Sequence, residues 1–232
     1  MYEPLTITWI KNRIKRGFAP IVLVTGKQRI GKTCIALLFA SLIEPTFNIK
    51  EQLFFDIRSF AQAYNKFNNK VFCLDEAGIE LDTYRYSDIR QRVFSHIVQS
   101  QAYKQNTLFI VLPHNTDIAK THRKYIDALI CVMSRGFAVV YKPRIKYWDM
   151  NDLDITTKKM EVITQIPLPP KELYDDYKML FEKQIKENIM GLELTRLEKE
   201  LNKGMVTRRE IPTYSALHKS GAPPTLSPPT QI

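Results

Sequence analysis

Ile21-Val22-Leu23-Val24-Thr25-Gly26-Lys27-Gln28-Arg29-Ile30-Gly31-Lys32-Thr33 carries an apolar, β-branched run straight into the spacing G-x-x-x-x-G-K-[ST]. Glycines at 26 and 31 let the backbone turn through conformations that a side chain disfavours, so consecutive N–H groups can point at one anion. Lys32 then supplies a point charge for β- and γ-phosphates, and the Thr33 hydroxyl supplies a ligand for Mg²⁺. Residues 34–43, beginning Cys34-Ile35-Ala36-Leu37, read as a buried helix whose N-terminal dipole faces the same phosphates. Strand, loop and helix arrive in the order the pattern needs. Gly26, Lys27, Gln28, Arg29, Ile30, Gly31, Lys32, Thr33 and Cys34 are therefore assigned to a nucleoside triphosphate, with ATP as the expected ligand. An accidental match is the bland alternative, and the flanking strand and helix weigh against it.

A second stretch answers the first. Val71-Phe72-Cys73-Leu74-Asp75-Glu76 is an apolar run ending in two acids, the Walker B arrangement. Carboxylates at the end of a dry strand call for a cation. Asp75 is expected to hold Mg²⁺ through water, and Glu76 to orient and polarise the attacking water as general base.

Composition sets the bounds. The chain has 232 residues, 44% of them hydrophobic, enough for one large α/β domain with a helical appendage. Its net charge is +10, and the basic excess lies in residues 1–170, which suits a polyanionic partner or simply a solvated surface. Cys34, Cys73 and Cys131 each sit in an apolar run and read as small buried side chains in a reducing compartment, with no zinc or disulfide spacing. The longest mainly apolar run, residues 34–43, is about half the length a membrane span needs, so no membrane span and a cytoplasmic location are expected.

Along the rest of the chain, residues 5–16 look helical, with Ile7, Ile10 and Ile14 on one side and a basic face that either meets an acidic partner or is solvated. Residues 52–55 read as a short strand, followed by Asp56 as N-cap of a helix carrying Phe60, Tyr64 and Phe67 inward. After a loop over 77–86, a helix from about 87 to 103 turns Ile89, Val93 and Ile97 inward. Arg85, Arg90 and Arg92 fall near the catalytic end of the sheet; Arg90 is the candidate arginine finger, against the plainer reading of a solvated residue. Residues 108–112 form a fourth buried strand stopped by Pro113. Asn115, or His114 beside it, is the candidate γ-phosphate sensor, with a turn-forming asparagine as the alternative. A fifth strand spans 128–133, and Arg135-Gly136 turns it into a hairpin with 137–141. Lys142, Arg144, Lys146, Tyr147 and Trp148 then interleave bases with aromatics, either to track a nucleic-acid backbone or to guard an edge strand. Residues 1–170 are expected as a nucleotide-hydrolysing domain, 171–203 as a charged helical extension, and 204–232 as a Pro-rich disordered tail.

Five strands, with an extra strand–helix unit between the phosphate loop and the paired acids, predict a three-layer P-loop NTPase of the additional-strand class, RecA/FtsK-like. Its mainly parallel central sheet would have the order 5-1-4-3-2. The stretches 26–33, 71–78 and 108–115, with Arg123 downstream and Ile166-Pro167-Leu168-Pro169 before a charged helix, resemble FtsK–HerA-type ATPases. The likeness covers roughly residues 20–185 and leans toward the small members of archaeal viruses and plasmids, genome-packaging ATPases among them, and toward zonula-occludens-toxin-like proteins. The resemblance implies a homo-oligomeric ring, hexameric in number, that pumps double-stranded DNA, with an arginine of one subunit completing the site of the next. Lys32, Thr33, Asp75 and Glu76 carry over directly. The family often has glutamine at the sensor position, where this chain has His114-Asn115.

The sequence thus reads as a Mg²⁺-dependent ATPase motor on DNA, most concretely for viral genome packaging, with a capsid or virion protein as a further candidate partner. A virion assembly or export ATPase that does not act on DNA is the second reading. A small-molecule kinase would need an arginine-rich lid, which the sequence lacks.

Overall fold

Every position of Ile21–Thr25 (β1) is buried, as a strand covered on both faces must be. This computed structural model describes residues 3–75, 95–97, 99–100, 103–113, 123–145 and 155–184. Around β1 the described elements are α1 (Leu5–Lys15), α2 (Lys32–Ile43), the single-turn α3 (Ile49–Gln52), β2 (Leu53–Phe54), α4 (Ile57–Lys66), β3 (Val71–Leu74), β4 (Thr107–Leu112), β5 (Ala128–Ser134), β6 (Phe137–Ile145), β7 (Ile155–Ile163) and α5 (Lys171–Gln184). The strands form one sheet in the order β2-β3-β4-β1-β5-β6-β7. The first five are parallel and run 5-1-4-3-2 across the sheet, while β6 and β7 are added antiparallel. This is the P-loop NTPase fold in its additional-strand form.

Strand alternation sends successive side chains to opposite layers. Val22 and Val24 of β1 join one apolar layer with Ile7 and Ile10 of α1 and most of α2, while Ile21 and Leu23 join the other with Phe60 and Tyr64 of α4, Ile97 and Ile126. Leu173, Tyr177 and Leu180 of α5 pack on the α1–α2 layer. Because α2 has neighbours on several sides, all of Ile35 to Ala40 is buried, and its sequence is apolar all round rather than striped. On α4 the Asp56 side chain caps the helix by accepting from the Ser59 N–H at 2.8 Å, as expected. Phe60, Tyr64 and Phe72 then meet ring to ring at centroid separations of 5.5 to 6.0 Å.

Long-range polar contacts fix the ends of the helices. Glu44, just after α2, accepts from the Val71 N–H at 2.9 Å and from the Gln52 amide at 2.8 Å, and it pairs with Lys70. Burial alone would raise its carboxyl, but these hydrogen bonds, with the Lys70 charge, outweigh burial and hold it below the usual glutamate value. Glu161 of β7 accepts from the Leu5 N–H at 2.9 Å, the Thr6 N–H at 2.8 Å and the Thr6 hydroxyl, satisfying orphan donors at the start of α1. At the other end of α1, Arg13 pairs with Asp127 at 2.6 Å, and Asp127 also accepts from the Ile21 N–H at 3.0 Å.

Three expectations need correction. Gln52 ends a helical turn instead of opening a strand; its amide donates to the Val71 carbonyl at 2.8 Å, which ties it to the neighbouring strand by a side chain. β7 was not foreseen. Its Lys158, Lys159 and Glu161 break the apolar run, and a register shift at Val140 and Tyr141 of β6 disturbs the two-residue alternation that marks a strand. Cys34 and Cys131 are half-buried, and of the three thiols only Cys73 is fully inside.

The chain divides into two compact units, Met1–Leu180 and Phe181–Ile232. Of the second, residues 181–184 are described and are helical. Among the described residues no helix is long and apolar enough to cross a membrane.

Candidate functional site

Five parallel strands put their C-terminal ends on one rim of the sheet, and the loop 26–31 leaves β1 in the middle of that rim, where open α/β sheets bind ligands. Gly26 is pinned between both neighbours of β1. Its N–H donates to the Pro113 carbonyl after β4 at 3.3 Å, and a Cβ on it would lie 2.5 Å from the Val132 carbonyl oxygen of β5. Gly31, at φ +99°, caps α2 with open space around it, so its requirement is conformational. Lys27, Gln28 and Arg29 are exposed, while Ile30 tucks against the core and holds the loop down.

Inside the loop the Lys32 ammonium donates to the Lys27 carbonyl at 2.8 Å, which carries the cation across the mouth of the loop. The Thr33 hydroxyl donates to an Asp75 carboxylate oxygen at 2.9 Å. Asp75 is only 2% exposed and follows directly on β3, its own N–H donating to the Phe54 carbonyl at 2.8 Å. A buried carboxylate beside a hydroxyl at the N-terminus of a helix is a donor set of the hard oxygen type that Mg²⁺ takes, with phosphate and water completing the shell. The residues present therefore fit ATP with Mg²⁺: Gly26 to Cys34 would hold the nucleotide, and Thr33 and Asp75 the metal.

Cys34, next along α2, senses the charges around the loop. Burial pushes its thiol up, Asp75 pushes it further, and its backbone hydrogen bond, Arg135 and Lys178 pull the other way. Those two cations were passed over in the sequence, where Arg135 reads only as a turn residue and Lys178 as part of a charged helix. The usable signal was position, since Arg135 follows the strand that the 5-1-4-3-2 order places beside β1.

All nine predicted loop residues and Asp75 are thus brought to one place. Glu76, Arg85, Arg90, Arg92, His114 and Asn115 lie outside the described residues, as do Lys146, Tyr147 and Trp148 of the expected basic ribbon. Lys142 is exposed, its ammonium 5.6 Å from the Trp9 ring centroid. β6 runs antiparallel to β5, so Lys142 lies toward the end of the sheet opposite the phosphate loop.

Fold and site together define a P-loop NTPase. No family model matches the chain, and no curated relative does either. Among solved structures, it is similar to the genome packaging NTPase B204 of Sulfolobus turreted icosahedral virus 2 in complex with ATP-gammaS, at 12% identity over 61% of this chain and 97% of that one, with a TM-score of 0.42. It is similar to the N-terminal domain of zonular occludens toxin from Neisseria meningitidis at 14% identity, covering 68% of this chain and 97% of that one, with a TM-score of 0.40. A third similarity is to the cytoplasmic domain of the Thermomonospora curvata type VII secretion ATPase EccC, at 10% identity over 67% of this chain and 24% of that one, with a TM-score of 0.42.

Proposed function

We propose that this chain is a Mg²⁺-dependent ATPase that moves double-stranded DNA, most concretely into a viral capsid, working as a homo-oligomeric ring with six subunits. The observation that carries the nucleotide part is the Thr33 hydroxyl on the Asp75 carboxylate at 2.9 Å, which joins the phosphate loop to the end of the acid-bearing strand. Support for DNA comes from the basic balance of residues 1–170 and from the resemblance of the motifs to FtsK–HerA ATPases.

In this reading the loop N–H groups and Lys32 bind and orient the phosphates. Glu76 takes a proton from the attacking water as the new oxygen–phosphorus bond forms at the γ-phosphate and the bond to the β,γ-bridging oxygen breaks. Bound by Thr33 and Asp75, Mg²⁺ supplies charge neutralisation on the phosphates. Asn115 senses the γ-phosphate, and an arginine, with Arg90 the candidate, completes the site of the adjacent subunit. Residues 171–203 are read as a charged helical extension and 204–232 as a Pro-rich tail, with a capsid or virion protein as a further partner of the chain.

The test is ATP hydrolysis by the full chain, with and without long duplex DNA at two salt concentrations, using Lys32→Ala as the blank. Stimulation by DNA that fades with salt is expected. A Lys32-dependent rate indifferent to DNA would transfer the reading to an assembly or export ATPase.

A further inference from the structure

The last two strands outrun the rest of the sheet. Pairing between β5 and β6 ends at Leu129 and Tyr141, and β5 itself begins at Ala128. β6 and β7 continue alone through the pairs Lys142–Lys158, Pro143–Thr157, Arg144–Thr156 and Ile145–Ile155. At about 3.3 Å per residue, this two-stranded arm projects about 13 Å past the last pair with β5, at the end of the sheet opposite the phosphate loop. Its charge is one-sided. The bases of the two strands are Lys142, Arg144, Lys158 and Lys159, and their one acid, Glu161, is occupied by the first amides of α1. Lys142 and Lys158 stand directly opposite each other and are both exposed, an arrangement in which like charges repel.

A run of stacked groups joins the arm to the end of α1. The Lys142 ammonium lies 5.6 Å from the Trp9 ring centroid, and the Arg13 guanidinium lies 5.2 Å from the same ring and 4.7 Å from that of Phe18, which is half exposed. Arg13 is already paired with Asp127 at 2.6 Å, so its part is to hold the two rings in place. Lys15 and Arg16, which follow it in the chain, are exposed. Both rings thus carry a cation, and what the strip presents outward is ammonium and guanidinium. Such a surface suits the phosphates of a duplex better than the stacked bases of a single strand. We propose that the β6–β7 arm and the adjoining end of α1 form the surface that grips duplex DNA. Lys142 and Lys158 take phosphates, and Lys15 and Arg16 continue the track along the rim. A phosphate between Lys142 and Lys158 turns their mutual repulsion into two attractions. Contacts of this kind position the duplex without reading its sequence.

This inference rests on the reading of the chain as a motor on DNA, and the experiment separates the two. Fluorescence anisotropy of labelled duplexes of unrelated sequence, over a series of salt concentrations, would compare the full chain with Lys142→Gln, Lys158→Gln, the double variant and Lys171→Gln. Each of the first two is expected to weaken binding about five- to tenfold near 0.1 M salt and to lower the slope of log affinity against log salt by about 0.9, the double by about twice that, on every sequence alike. Lys171, exposed at the start of α5, lies five residues after Ile166, whose N–H donates at 3.0 Å to the Gly136 carbonyl in the turn at the other end of β6. Its substitution makes the same change of net charge and should leave the slope where it is. Lys32-dependent hydrolysis without DNA should stay at the wild-type rate in all of them, and the unfolding midpoint of Lys158→Gln should not fall. Wild-type affinity and slope in the double variant would overturn the proposal. So would an equal loss in Lys171→Gln, which would make the effect one of net charge alone, or unchanged DNA binding with self-association of the variants, which would make the lysines guards of an open edge. A wild type that binds no duplex DNA would instead overturn the DNA reading itself and the proposal with it.

Discussion

At the scale of single residues, the two glycines of the phosphate loop separate two kinds of constraint. A methyl group on Gly26 runs into the Val132 carbonyl oxygen, a backbone atom that cannot rotate away, at a φ of +150°. A methyl on Gly31 meets nothing within 4 Å. Gly26→Ala should therefore cost about 2–3 kcal/mol of unfolding free energy and impair nucleotide binding, against about 1–2 kcal/mol for Gly31→Ala, as denaturant melts of the two variants would measure. Asp75→Asn retains an acceptor for the Thr33 hydroxyl but removes the charge; the Mg²⁺-dependent part of nucleotide affinity should be lost while metal-free ADP binding persists, readable by titration with and without EDTA. These residues were legible because the motif spacing is local and chemically demanding. Arg135 and Lys178, whose charges bear on the Cys34 thiol, were not, since they come from a turn and a helix more than a hundred residues further along the chain.

Among the elements, α1 is held by groups distant in sequence. Its apolar face was readable from the spacing of Ile7, Ile10 and Ile14, but the carboxylate that receives its N-terminal donors comes from Glu161, some 155 residues away on a strand that the sequence hid behind two lysines and a register shift. The expected basic face of α1 is likewise partly spent within the molecule, with Lys11 on Glu3 at 2.9 Å and Arg13 on Asp127. Glu161→Ala should free the first turn of α1 and cost about 1–2 kcal/mol. Hydrogen exchange would show faster exchange at Leu5 and Thr6 with the protection of β1 unchanged; slow exchange at those two amides would contradict the assignment. Where an element declares itself through its own side chains, as α4 does through Asp56, Phe60 and Tyr64, sequence and structure agree, except that Phe67, expected on the helix, is the extended residue just past its end and is half-buried.

On the scale of the whole molecule, the 5-1-4-3-2 order was legible because buried parallel strands leave unbroken apolar runs, whereas the antiparallel addition of β7, with its charged side chains, leaves none. The same frame sets the response to acid. Glu44 titrates below its ordinary 4.5 in the folded chain, so its contribution is complete above about pH 4.5 and is lost as pH falls through the folded value. Asp127 acts in reverse: burial raises it from 3.8, and hydrogen bonding from Ile21 and the charges of Arg13 and Lys142 recover only part. Its ionisation therefore costs stability as pH rises from 3.8 through the folded value. Glu44→Gln should lower stability by about 1–2 kcal/mol at neutral pH and flatten the acid limb of a pH series of melts, with the two curves converging once Glu44 is protonated in the folded chain. Both carboxylates sit where a helix meets the sheet, and one of those junctions carries its own optical reporter. Arg13 is layered between the rings of Trp9 and Phe18, at 5.2 and 4.7 Å from their centroids, with Lys142 on Trp9 as well. Two cations against the indole of one of only two tryptophans make its emission a gauge of whether the amino-terminal helix is seated. In a Trp148→Phe background, fluorescence would follow the undocking of that helix in real time, without a dye and without waiting for the sheet to unfold.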